Sequence, residues 1–216
     1  MSDEKKFMDD KKLEDVTPLD LLKNYLNNTS EIKGLDDVSA AYDAIDRVLF
    51  LADVTEEIAE AICHLIRMWN TIDKDIKPEE RKPIKIYIDS HGGDVCAGFI
   101  IIDAIKLSKT PIYTINMGKA YSMGLCVFVA GHKRYAYENS SFLFHEGSGG
   151  MIGDANKFKN FSKFYENLLE KLKKFLLENT KMTPELYKEK DRDDWWFFVD
   201  EAIEYGFCDE VLEEFI

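Results

Sequence analysis

In the stretch GKAYSMGL (residues 118–125) one serine, Ser122, stands between a small-residue turn and the apolar run CVFVA. A serine in that place either caps the helix that follows or attacks a carbonyl. Capping is the commoner use, so the neighbouring segments have to decide. In PIKIYIDSHGGDV (residues 83–95) a β-rich run ends in Gly92-Gly93 and passes into a helical pattern. Glycines there can turn the chain sharply and leave a backbone N–H pointing outward at the strand's carboxyl end. PIYTINMGKAYSMGL repeats the device one unit later. Two neighbouring parallel strands that both end in small-residue turns place Ser122 at a helix amino end, with the N–H groups of Gly93 and Met123 converging beside it. A hydroxyl with two donors aimed at a developing oxyanion is what acyl transfer needs. Tight packing of small residues explains the glycines equally well on that segment alone.

The elements that must hold these residues follow from hydrophobic periodicity. RVLFL (47–51) reads as a buried strand, and DVTEEIAEAICHLIRMWNTI as a helix with Ile58, Ile62, Leu65, Ile66 and Trp69 along one stripe. After the charged loop DKDIKPEERK come the strand PIKIYID, the helix DVCAGFIIIDAIKLS, the strand PIYTINM and a buried helix SMGLCVFVAG closed by Gly131. The alternation predicts an α/β domain with a largely parallel sheet covered by helices. KRYAYE and SSFLFHE, joined at the turn former Asn139, read as an antiparallel pair. Beyond a glycine-rich stretch, GSGGMIG, apolar residues from Phe158 to Leu176 recur at helical spacing over about 154–179. Such a helix is ~39 Å long, and its apolar face either covers the sheet or projects to meet a partner subunit.

Composition removes several classes of function. The 216 residues carry 41 Asp and Glu against 28 Lys and Arg, a net charge of −13, which repels nucleic acid and anionic membrane surfaces. No stretch approaches the ~20 apolar residues of a membrane span, and a cytoplasmic protein is expected. Cys63, Cys96, Cys126 and Cys208 form no C-x-x-C pair and suggest buried free thiols, with neither a metal nor a disulfide framework. Residues 1–40 read as a charged, partly mobile segment with a short helix after Thr17-Pro18, and residues 41–216 as the catalytic domain.

Three blocks in order, IYIDSHGGDVCAGFIIIDAI, GKAYSMGLCVFVAGHKRYAYENSSFLFHEGSGG and DDWWFFVDEAIEYGFCDEVL, resemble the proteolytic subunit of the Clp protease. The resemblance covers about residues 47–216. It implies a crotonase-like fold of repeated ββα-type units and a serine endopeptidase that needs no cofactor. Carried over by residue, it implies Ser122 as nucleophile, His145 as general base, and Gly93 and Met123 as oxyanion-hole donors. The third member is an aspartate of the DDWW block. Spacing from EAIEYG gives Asp194, while the family's Asp-Arg-Asp pattern gives Asp193 with a one-residue insertion; adjacent residues of an extended chain face opposite ways, so only one can reach His145. Asp194 is preferred on spacing.

The resemblance also implies homo-oligomeric rings stacked in pairs, with the long helix of 154–179 as the handle between them, polypeptide substrates, and an ATP-dependent unfoldase as partner. Several residues depart from the family pattern. His91 replaces the usual proline, Glu146-Gly147 replace Gln-Pro after the histidine, and residues 1–40 do not match the family's short axial loops. A carboxylate at Glu146 would raise the imidazole pKa or compete for its Nδ1 proton. Other readings at this stage are a related peptidase of viral head maturation or signal-peptide type, a catalytically silent ring subunit, and an acyl-CoA hydratase or isomerase of the same broad fold.

Overall fold

Three long parallel strands, Val48–Val54 (β1), Ile84–Gly93 (β2) and Ile112–Tyr121 (β3), are connected through two helices, Glu56–Ile72 (α1) and Val95–Leu107 (α2). These come from a computed structural model that describes residues 43–145, 147, 150 and 154–216. The charged segment 1–40, Glu146 and most of the glycine-rich stretch lie outside the described residues.

Local chemistry sets where the helices begin. The Thr55 side chain accepts the Ile58 N–H at the start of α1, and Asp94 accepts the Ala97 N–H at the start of α2. Each helix buries one stripe against the sheet: Ala59, Ile62, Ile66 and Trp69 from α1, and Ala97, Ile101, Ile102 and Ile105 from α2. Met123–Val129 (α3) follows β3 directly, and every one of its residues is buried, which an all-apolar sequence permits. The buried Thr114 hydroxyl of β3 donates to Phe128 O at 2.7 Å and satisfies a carbonyl at the end of α3.

Lys133–Ala136 (β4) and Ser141–Phe144 (β5) are strands, as expected, but not an antiparallel pair. Both run parallel to β3 and divide its edge. Residues 113–116 of β3 pair with β4, and residues 119–121 with β5. The division is made at the fully buried Asn116. Its main-chain carbonyl accepts Tyr137 N–H as β4 ends, its side-chain carbonyl accepts Gly118 N–H, and its amide donates to Ser141 O as β5 begins. The chain between, closed by Ser140 N–H to Tyr137 O, steps sideways instead of folding back as a hairpin.

Pro184–Lys190 (α5) precedes Trp195–Phe198 (β6), which pairs antiparallel with β5; Val199–Glu204 (α6) and Glu210–Val211 (β7) complete the chain, with β7 beside β4. Both β2 and β3 also run further than their apolar cores suggest, through His91-Gly92-Gly93 and Gly118–Tyr121, because Gly92 and Gly93 still pair with Asp53 and Val54 of β1. The long helix Ala155–Asn179 (α4) is capped by Asp154, whose side chain accepts the Asn156 and Lys157 N–H groups. Phe175 and Leu176 are its buried residues, whereas Phe158 and Phe164 are 55% and 54% exposed. Its carboxyl end thus packs on the domain and its amino half offers an apolar face outward.

Replacing Asn116 with Ala leaves buried groups of β3 and β5 without their partners. The loss expected is about 1–3 kcal/mol of unfolding free energy, read from urea denaturation of both proteins at one protein concentration. A loss within error would mean that the branch of the sheet does not depend on this side chain.

Candidate active site

The site is laid out by strand register. Tyr121 of β3 is paired with Leu143 of β5, and the next residue, Ser122, donates its N–H to Leu143 O at 2.9 Å. On the other edge of β5 the antiparallel register runs Ser141 to Phe198, Phe142 to Phe197, Leu143 to Trp196 and Phe144 to Trp195. One step beyond the last pair, the same register sets His145 opposite Asp194. The aspartate opposite the histidine is therefore Asp194, and its Oδ1 lies 3.8 Å from His145 Nδ1. Asp193 makes no ion pair among the described residues.

Ser122 occupies the N-cap position of α3 without capping it. Its φ is 52° and ψ −121°, and its side chain makes no capping hydrogen bond. A non-glycine residue in that region is strained, by about 1–3 kcal/mol, and such strain gathers where a side chain has to be presented. The helix turns away and leaves the hydroxyl facing a cleft lined by Val95, Met123, Cys126, Phe144, His145 and Leu172, with Leu169, Leu176 and Tyr187 behind. Ser122 and His145 line this cleft together without a hydrogen bond between them, and 3.8 Å also exceeds hydrogen-bond reach for the His145–Asp194 pair. Catalytic contacts commonly tighten only once substrate is bound.

Gly92 and Gly93 are required beside this turn. At Gly92, φ 103°, a Cβ would stand 2.8 Å from Ser122 Cβ and 3.1 Å from Met123 N, so any side chain there collides with the serine. At Gly93, φ 144°, a Cβ would stand 2.3 Å from Val54 O at the end of β1. Met123 is the first residue of α3, so no carbonyl of that helix accepts its N–H. Ser90, fully buried and unnoticed in the sequence, accepts the Gly92 N–H at 3.0 Å and fixes the turn from below. Asn116 was equally silent: nothing in a lone Asn within an apolar strand marks it as a branch point.

The other candidates separate from the site. His132 lies on the opposite end of β3, where Ile112 N–H donates to its Nδ1; burial lowers its pKa, and accepting that bond requires the nitrogen to be unprotonated. Cys126 reaches the cleft, but burial pushes its thiol up to about 12, which leaves it an inert wall. Cys208 is buried too, whereas Cys96 is exposed on α2, against the expectation of four buried thiols. Among the described residues no cluster of His, Cys, Asp and Glu could hold a metal ion, and no helix is long and apolar enough to cross a membrane.

Residues 33–215 match the profile of the Clp protease family. The chain is 31% identical over 170 residues to ATP-dependent Clp protease proteolytic subunit 2 of Treponema pallidum, covering 78% of this chain and 82% of that protein. It is 33% identical over 198 residues to the protein of the same name from Treponema denticola, covering 88% and 96% of the two chains. A Rhodococcus jostii protein of that name is 30% identical over 189 residues, 85% of this chain and 94% of its own. Matches of this length and identity, over a mixed sheet with helices of the kind expected, make this chain a member of the Clp protease family and a serine peptidase.

Proposed function

We propose that the chain hydrolyses peptide bonds of unfolded polypeptides through a Ser122–His145–Asp194 triad. The observation that supports this reading is the row across β5, which brings the three residue types to one edge in the order the chemistry uses. With Nδ1 of His145 turned toward Asp194, Nε2 is left for the serine. The ring then takes the Ser122 proton as Oγ bonds to the carbonyl carbon, and Asp194 steadies the imidazolium. The carbonyl oxygen, now an oxyanion, is held by the N–H groups of Gly93 and Met123. Collapse of the tetrahedral intermediate breaks the C–N bond, the imidazolium protonates the departing amine, and water activated by the same ring releases the acyl group. For this the His145–Asp194 pair has to close by roughly 0.6–1 Å into hydrogen-bond range. Val95, Cys126, Leu169 and Leu172 give the acyl side of the cleft an apolar preference.

Intact mass after incubation with a fluorophosphonate at about pH 8, above the ordinary imidazole range, tests the nucleophile. One adduct is expected on the wild type and none on Ser122→Ala. No adduct on an oligomeric wild type would favour a catalytically silent subunit instead. The third member is tested by peptidase rates of two variants. Asp194→Asn is expected to lose about 10³–10⁴-fold in kcat, the size of the loss when the triad's aspartate is neutralised, and Asp193→Asn to stay within about threefold of wild type. The opposite pattern would move the role to Asp193.

The relatives are named as proteolytic subunits of an ATP-dependent protease, and we extend that organisation to this chain: rings stacked through α4, enclosing the active sites, fed by an ATPase unfoldase. Its support is the outward apolar face of α4, where Phe158 and Phe164 have no cover among the described residues. Light scattering at micromolar concentration is expected to give a multiple of the chain mass, and Phe158→Glu with Phe164→Glu to reduce it. A monomeric wild type would overturn the assembly.

A further inference from the structure

Two residues away from His145 and Asp194 along β5 and β6, the same sheet face carries a second row. His91 of β2, Tyr121 of β3, Leu143 of β5 and Trp196 of β6 occupy successive register positions, since Ser90 pairs with Ala120, Tyr121 with Leu143, and Leu143 with Trp196. The His91 and Tyr121 rings meet edge-on at 5.8 Å, and the Tyr121 and Trp196 rings at 5.0 Å over the buried Leu143. The Tyr121 hydroxyl is 2.8 Å from Ser141 Oγ, which fixes the ring on the sheet. Along β6, Asp194, Trp196 and Phe198 face out while Trp195 and Phe197 are buried. Trp196 is 55% and Phe198 64% exposed.

A chain of net charge −13 that keeps large aromatic rings exposed, ordered by ring contacts and beside its nucleophile, has a surface made for apolar contact. None of these four residues lines the apolar cleft, whose walls come from Val95 of α2, from Met123 and Cys126 of α3, from the end of β5 and from α4 and α5. The cleft and the aromatic row therefore flank the serine. Residues on one strand face recur about every 7 Å, the repeat of two residues in an extended peptide. A polypeptide lying across Ser122 with its acyl half in the cleft carries its amine half over Tyr121 and Trp196.

We propose that the His91–Tyr121–Trp196 row is the subsite for the amine side of the scissile bond and favours an aromatic or large aliphatic side chain within the first few residues after it. The inference rests on the peptidase reading of Ser122. Occupancy by substrate, and not by another copy of this chain, is argued from the row's continuity with the triad: Trp196 follows Asp194 by two residues on one face, and Tyr121 immediately precedes Ser122.

The test uses the full chain and two internally quenched peptides with one acyl half, followed by Phe in one and Ser in the other, alongside an acyl-aminomethylcoumarin whose leaving group carries no residues. Wild type is expected to prefer the Phe peptide by about 3- to 10-fold in kcat/KM, the range of one aromatic contact. In Tyr121→Ala/Trp196→Ala that preference is expected to fall below about twofold, and Trp196→Phe to restore it. Equal losses on all three substrates, or an unchanged preference, would overturn the subsite. A lower mass of the double variant by light scattering would assign the row to a contact between subunits and overturn it too. Failure of wild type to cleave the coumarin substrate would instead overturn the peptidase reading, and the subsite with it.

Discussion

Everything at the active site depends on how one buried asparagine divides a strand. Polar groups with no access to water have to be bonded, and Asn116 meets this with three bonds, to the end of β4, to Gly118 further along its own strand and to the start of β5. The consequence is that β3, ten residues long, receives two four-residue partners in turn. Only the second, β5, reaches the end of β3 where Ser122 stands. A hairpin of β4 and β5 would have carried His145 away from the serine.

Strand register then performs the alignment that three flexible side chains could not arrange by themselves. β5 reads Ser122 on one edge and Asp194 on the other, with backbone hydrogen bonds as the ruler, and a slip by one residue on β6 would substitute Asp193 for Asp194 and turn it to the other face. Slippage is opposed by the core: Phe142 stacks on Phe197 and Trp195 packs on Phe197 and Phe207, so moving β6 by one position would exchange Trp195 and Phe197 for the exposed Trp196 and Phe198. Which aspartate faces His145 is in this sense a packing decision.

What could be read from the sequence was what local chemistry encodes. The stripes of α1 and α4, the glycine turns and the aspartate spacing all depend on residues near one another in the chain. The pairing of β4 and β5 was misread because two short β-rich runs around a turn former describe a hairpin and a sideways step equally well. The difference lies in Asn116, over twenty residues before β5. The reach of β2 into Gly92-Gly93 was hidden for a related reason: glycine weakens a strand taken alone, and it is β1 that holds it extended.

Strain at Ser122 shows why the buried helix behind it has to be so apolar. A residue held at φ 52° relaxes unless its surroundings fix both of its sides. On the amino side the Ser122 N–H is tied to Leu143 O, and the Gly92 backbone packs so close that a Cβ there would strike the serine Cβ. On the carboxyl side all seven residues of α3 are buried, and Met123 packs so closely on Gly98 that a Cβ there would fall 2.2 Å from its Cε. A polar residue in α3 would have drawn the helix toward water and let the turn open. Ser122 is thus presented by a helix that has no surface of its own, whereas the amino half of α4 and the aromatic row keep large apolar side chains exposed.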